Sequence, residues 1–122
     1  MKHSQEFLQL VERVKPQIEE VTMAEARVRL EKSPQVRLID VREDHEWQDG
    51  HAEGAMHLGR GIIERDIVAQ VPDKATELIL YCGGGYRSAL VAANLQMMGY
   101  QKVFSLAGGF RAIQESGYPI VV

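Results

Sequence analysis

The sequence predicts an α/β fold: an open parallel sheet flanked by helices, with one extra helix at the amino terminus. Segments with apolar residues at helical spacing alternate with short apolar runs along all 122 residues. One run, Leu78-Ile79-Leu80-Tyr81, has too little polarity for a surface strand and suits a strand buried on both faces. Strands that alternate with helices in this way pair in parallel, through right-handed crossovers. A chain of this length, 45% hydrophobic and 25% charged, fits one core. Residues 1–21 read as a helical extension and 22–122 as a single domain.

The elements follow in order. Ser4 can cap a first helix in which Phe7, Leu10, Val11 and Val14 fall at i, i+3, i+4 and i+7. Pro16 disfavours helical geometry at Lys15 and should end that helix there. Thr22 and Glu25 form a capping-box pattern, and Met23, Ala26 and Leu30 share a face of the helix that stops before Ser33-Pro34. Val36 to Val41 reads as a strand with Asp40 and Arg42 near its carboxyl end, and these two are expected to form a structural ion pair or a turn bond rather than to take part in catalysis. Glu43 to Asp49 is a short polar helix closed by Gly50, with Trp47 as a core anchor. Gly54 to Leu58 reads as a short strand. His51 and His57 are expected to be hydrogen-bonded structural residues outside any site, and no third ligand has metal spacing. Gly59-Arg60-Gly61 leads into a helix carrying Ile63 and Ile67, with Arg60 adding positive charge at the rim of the site. Past the central strand, Val91, Leu95 and Met98 mark a buried helix face, with Met97 and Met98 as gap-fillers. Gly99 suits the C′ position. Lys102 to Leu106 is the next strand, Gly108-Gly109 a turn, and Phe110 with Ile113 the apolar side of a last helix before Gly117 and Pro119.

The chain is organised around Glu77 to Ala89, ELILYCGGGYRSA. Cys82, the single cysteine, follows the buried strand, and Gly83, Gly84, Gly85, Tyr86 and Arg87 lead into an alanine-rich helix. A strand, a glycine loop and a helix start gather free backbone N–H groups around one point, which suits an anion. A thiol is ordinarily only a few per cent thiolate at neutral pH, and tipping it to the anion takes roughly 2.7 kcal/mol. A helix N-terminus supplies about 0.3–1 kcal/mol. The remainder must come from loop amides and the Arg87 cation. A lone cysteine is by type most often a small buried hydrophobe. Its place between a strand end and a glycine loop marks Cys82 instead as a nucleophile in an anion cradle.

Cys82 followed by four residues and then Arg87-Ser88 resembles the active-site loop of rhodanese-type sulfurtransferases. Three further pieces agree in order: Asp40-Val41-Arg42-Glu43 with Glu46-Trp47, Gly50-His51 to Gly54-Ala55-Met56-His57-Leu58, and Leu106-Ala107-Gly108-Gly109-Phe110. The resemblance implies a rhodanese-like domain whose cysteine carries a sulfane sulfur as a persulfide. It implies a catalytic Cys82, a loop from Gly83 to Arg87 that binds the substrate, and no metal or organic cofactor. The implied reaction moves sulfur from a small donor such as thiosulfate to cyanide or a thiol, with a protein as a further acceptor. The alternative is a persulfide relay or protein-docking module with little turnover of its own. Members that use thiosulfate well often carry a basic residue directly after the cysteine, where this chain has Gly83. Phosphatase and arsenate chemistry uses a cysteine–arginine loop with five intervening residues, and this loop has four.

Composition narrows the partners. The net charge of −3, from 14 basic and 17 acidic residues with no basic tract, argues against nucleic acid. One cysteine makes no internal disulfide, no apolar stretch approaches a membrane span, and the amino terminus lacks a signal-peptide core. The expected location is cytoplasmic.

Overall fold

The computed structural model describes residues 2–122. Its main sheet contains β1 (Glu19–Val21), β2 (Arg37–Asp40), β4 (Met56–His57), β5 (Glu77–Tyr81) and β6 (Lys102–Leu106). All its pairings are parallel, in the order β1-β6-β5-β2-β4, with β5 in the middle. Two short strands, β3 (His51–Ala52) and β7 (Ile120–Val121), pair antiparallel beside it. The helices are α1 (Gln5–Val14), α2 (Met23–Lys32), α3 (Asp44–Asp49), α4 (Ile63–Gln70), α5 (Tyr86–Met97) and α6 (Gly109–Glu115).

Strand periodicity divides the core between the two faces of the sheet. Leu78 and Leu80 of β5 meet Val91 and Leu95 of α5, Ile63 and Ile67 of α4, and Val11 of α1. Ile79 and Tyr81 point the other way, toward Ala26 of α2 and Ile113 of α6. Continuing the alternation by one step puts Cys82 on the α5 face. Ala89, Ala92 and Ala93 let α5 lie close against that face.

Several elements differ from expectation in detail. Helix α1 is capped by Ser4 Oγ, which accepts from the Phe7 N–H at 3.1 Å. It ends at Val14 with Lys15 as its C-cap, as expected before Pro16, but Lys15 stays right-handed and Lys15–Gln17 add a 3-10 turn. Proline fits there because the first turn needs no donor from it. Residues 1–21 hold β1 as well as α1; three residues were too short a run to stand out in the sequence. The same applies to β3 and β7, two residues each. Leu10 and Met97 face solvent, at 44% and 85% exposure, so neither fills the core. The Thr22–Glu25 capping box forms as expected.

Candidate functional site

The site lies at the carboxyl ends of β5 and β2, where ligands bind in open α/β sheets. Gly85 takes φ +100, a left-handed conformation that suits a residue without Cβ, and caps α5. That turn aims the Gly85 N–H at Cys82 Sγ, 3.1 Å away, and the Ser88 N–H reaches the same sulfur at 3.4 Å. Behind it, Sγ lies 3.5 Å from Ser88 Oγ, which in turn lies 2.8 Å from Ser105 Oγ. Of the Gly83–Arg87 amides expected around the sulfur, Gly85 alone donates to it, joined by Ser88, which the sequence reading left outside the site; the first-turn N–H groups of Tyr86 and Arg87 have no acceptor among the described residues. Cys82 is 1% exposed, beneath a cover in which Gly84 is exposed and Gly83 half-buried.

The loop is held from below by α6. The Cys82 carbonyl accepts the Phe110 N–H at 2.7 Å, and the Gly83 carbonyl accepts the Arg111 N–H at 3.3 Å. Gly109 makes this approach feasible. A Cβ there would collide with the Cys82 carbonyl oxygen and sit 2.8 Å from the Gly83 carbonyl, and φ is +53. Gly108-Gly109 is therefore more than a turn: it is the seat of the Cys82 loop.

Arg87 leans over Gly83, with a guanidinium nitrogen 3.2 Å from where a Cβ on that glycine would stand. Its charge is not free. Glu46 of α3 takes it in two hydrogen bonds, 2.9 and 3.2 Å. These bonds hold the Glu46 carboxyl below its usual range and raise Arg87. The sequence reading did not place Glu46 in the site; its signal was a second acidic residue three positions after Glu43, which also closes a capping box on α3.

Most neighbouring polar residues bond to one another or to backbone carbonyls. Asp40 and Arg42 form the expected ion pair, 2.8 Å apart and almost wholly buried. Arg42 also donates to the Gly50 carbonyl at 2.7 Å and covers the Phe110 ring. His51 Nδ1 bonds the Trp47 carbonyl, and His57 Nε2 bonds the Arg42 carbonyl. Trp47 is half-buried and stacks on both imidazoles, at ring distances of 3.4 Å (His51) and 4.8 Å (His57), instead of anchoring the core. Arg60 keeps its backbone bond to Val41, and its side chain makes no ion pair among the described residues. Burial beside Asp40 raises Tyr81 and keeps its phenol neutral, accepting the Ala52 N–H. Two concavities of about 530 and 600 Å³ lie around Ser33, Val36 and Glu77, at the amino ends of β2 and β5, away from Cys82. Cavity size does not register donors converging on one sulfur, so the hydrogen bonds mark the site.

Residues 22–116 match the model of the rhodanese-like domain. The chain belongs to that family. This rhodanese-like domain is 31% identical over 81 residues to the thiosulfate sulfurtransferase GlpE of Coxiella burnetii, covering 66% of this chain and 74% of that one. It is 26% identical over 94 residues to YrkF of Bacillus subtilis, named for a sulfur-carrier role, covering 77% of this chain and 50% of YrkF. A solved structure from Rhodopseudomonas palustris, a protein of unknown function described as a possible tyrosine phosphatase, superposes with a TM-score of 0.81 at 27% identity, covering 99% of this chain and 98% of its own. The rhodanese-like domain also spans 27% of the length of a tRNA uridine(34) hydroxylase of Protochlamydia amoebophila. So the chain covers half or less of some curated relatives. No helix among the described residues is long and apolar enough to cross a membrane.

Proposed function

We propose that this chain is a sulfurtransferase that carries a sulfane sulfur as a persulfide on Cys82. The observation that carries the reading is the convergence of the Gly85 and Ser88 N–H groups on Sγ, at 3.1 and 3.4 Å. Donors aimed at a sulfur stabilise negative charge on it, which a merely buried thiol does not need.

The reaction runs in two displacements. The Cys82 thiolate attacks the outer sulfur of the donor and an S–S bond forms. With thiosulfate, the bond to the sulfonate sulfur breaks and its electron pair leaves with sulfite. A nucleophilic acceptor, cyanide in an assay or a thiol in the cell, then attacks the outer sulfur. The Sγ–S bond breaks and its electron pair returns to Sγ. Each displacement is balanced, with no outside oxidant or reductant. The Gly85 and Ser88 amides, with the first-turn N–H groups of Tyr86 and Arg87 beside them, hold the developing charge in the manner of an oxyanion hole. We place this activity in the cytoplasm, with no metal or organic cofactor.

Glu46 favours a second form of the reading, a relay fed by protein or low-molecular-weight persulfides. A guanidinium already paired attracts a dianion less than a free one, and Gly83 adds no charge. The similarity to YrkF points the same way. Phosphate-ester chemistry fits less well, because four residues separate Cys82 from Arg87 where phosphatase loops have five.

Intact mass of the protein after exposure to thiosulfate or to a persulfide tests the proposal. One added sulfur, located on Cys82 and removed by cyanide as thiocyanate, is expected. Fast thiocyanate turnover identifies an enzyme, and stable loading with slow turnover a relay. Failure to load sulfur from either donor, or aryl-phosphate hydrolysis at a rate matching sulfur transfer, overturns the proposal.

A further inference from the structure

Residues 3–7 of the amino-terminal extension reach the loop that covers Cys82. The His3 imidazole meets the Tyr86 ring edge-on, with centroids 4.8 Å apart and planes at 68°. The Phe7 ring meets it at 6.4 Å and 64°. His3 and Phe7 are themselves 5.1 Å apart, so the three rings close a triangle. All three residues are half-buried. Tyr86 in turn lies beside the exposed Gly84: a Cβ on that glycine would stand 3.8 Å from the Tyr86 ring. Between these two residues is Gly85, whose N–H donates to Sγ.

The segment that supplies the two outer rings is anchored apart from the loop. Ser4 caps α1 through the Phe7 N–H, Val11 is buried, and Phe7 and Val14 pack against the same core. The first turn of α1 is therefore presented to Tyr86 from a fixed position. His3 and Phe7 both precede residues 22–116, the stretch that matches the family model.

Cys82 is 1% exposed, and a thiol closed off to that degree reacts only as often as its cover opens. Gly83, Gly84 and Gly85 give that cover no side chains to hold it down, and glycine regains more backbone freedom than any other residue on release. Edge-to-face aromatic pairs stabilise their arrangement beyond the area they bury. The contacts to Tyr86 oppose opening on the α1 side, as the Glu46–Arg87 pair does on the α3 side.

We propose that His3 and Phe7 are positioning residues: through Tyr86 they hold the glycine cover closed over Cys82 and limit access to its sulfur. The consequence for sulfur transfer rests on reading Cys82 as the sulfur carrier. The closure itself does not.

With no sulfur donor present, iodoacetamide alkylates the sole cysteine: the thiolate forms an S–C bond and iodide leaves with the electron pair of the broken C–I bond. Rates are taken on the high-pH plateau, where every variant is fully thiolate and differences in ionisation cancel. His3→Ala and Phe7→Leu are each expected to raise the rate about two- to tenfold, the scale of one aromatic pair. His3→Phe, which keeps a ring, is expected to hold the parental rate. In a Tyr86→Ala background, His3→Ala is expected to add nothing, because its contact is already gone. An unmoved rate in both single variants, a rise in His3→Phe equal to that in His3→Ala, or an equal effect of His3→Ala with and without the Tyr86 ring overturns the role. So does a rate that climbs in low urea as steeply as global unfolding, since the sulfur is then reached only through the unfolded chain. Intact mass after thiosulfate or a persulfide is read separately. Sulfur loading with an unmoved alkylation rate defeats the role of His3 and Phe7 only. A raised rate without loading from any donor defeats only the sulfur-transfer reading.

Discussion

Glu46 grips Arg87 with both carboxylate oxygens, at 2.9 and 3.2 Å, across a separation of 41 residues. Both side chains are about one-quarter exposed, so the pair is partly shielded from water without being desolvated. It ties α3 to the start of α5, and it occupies the cation that the cradle would otherwise turn toward an anionic donor. Glu46→Gln should release that charge. We expect the thiosulfate KM to fall about two- to fivefold, the scale of a partly exposed ion pair. Steady-state thiocyanate formation checks this, and an unchanged or higher KM contradicts it.

The same pair predicts a pH dependence of stability. Glu46 is held below its ordinary value of 4.5, chiefly by its hydrogen bonds from Arg87. A carboxylate depressed in the folded state contributes stability that is fully present above its unfolded pKa. That contribution is lost as pH falls from 4.5 through the lower folded value. Thermal unfolding between neutral pH and pH about 3 should therefore show a shallower acid decline in Glu46→Gln than in the parent. Parallel curves would remove the pair from the account of acid stability.

Cys82→Ser should fold with near-parental stability, because the hydroxyl takes the place of the sulfur among the Gly85 and Ser88 donors. It should lose sulfur loading entirely. Circular dichroism and intact mass test the two halves of this expectation. Collapse of the fold would mean that the thiol serves as core packing.

Gly109→Ala is expected to cost more than other glycine replacements. The added methyl meets the backbone of Cys82 and Gly83, which cannot swing aside as a side-chain end can. With the strain of φ +53, a loss of about 1–3 kcal/mol and of most sulfur loading should follow. Gly54→Ala, at φ +82 with open space around it, carries the conformational strain alone and serves as the control. Equal effects of the two in urea unfolding would refute the seat assigned to Gly109.

Asp40→Ala strands the Arg42 guanidinium, 4% exposed, with the Gly50 carbonyl as its remaining hydrogen-bond acceptor. Removing one partner of a buried pair typically costs about 3–5 kcal/mol, and urea unfolding should show a loss of that order. A loss below about 1 kcal/mol would mean that water reaches the guanidinium once the carboxylate is gone.

The fold was legible wherever the pattern was long or chemically marked. Leu78 to Tyr81 announced a strand buried on both faces, and the Thr22–Glu25 box announced its helix, because these signals lie within a few residues. The three-residue β1 and the two-residue β3 and β7 carry no such pattern and exist because a distant strand offers them hydrogen bonds. Leu10 and Met97 failed as core residues for a related reason. Helical spacing says which residues share a face, and only packing says how wide the covered stripe is.

By itself, the sequence determined that a buried strand ends at Cys82 and that a glycine loop and helix start follow it. Local backbone preference and a short apolar run suffice for that. Only the tertiary structure decided what surrounds the sulfur. Glu46 holding Arg87, Gly109 beneath the loop and Ser105 behind Ser88 come from three other segments of the chain. Each contact depends on distances set by the packed sheet and its helices, and no spacing along the chain encodes them.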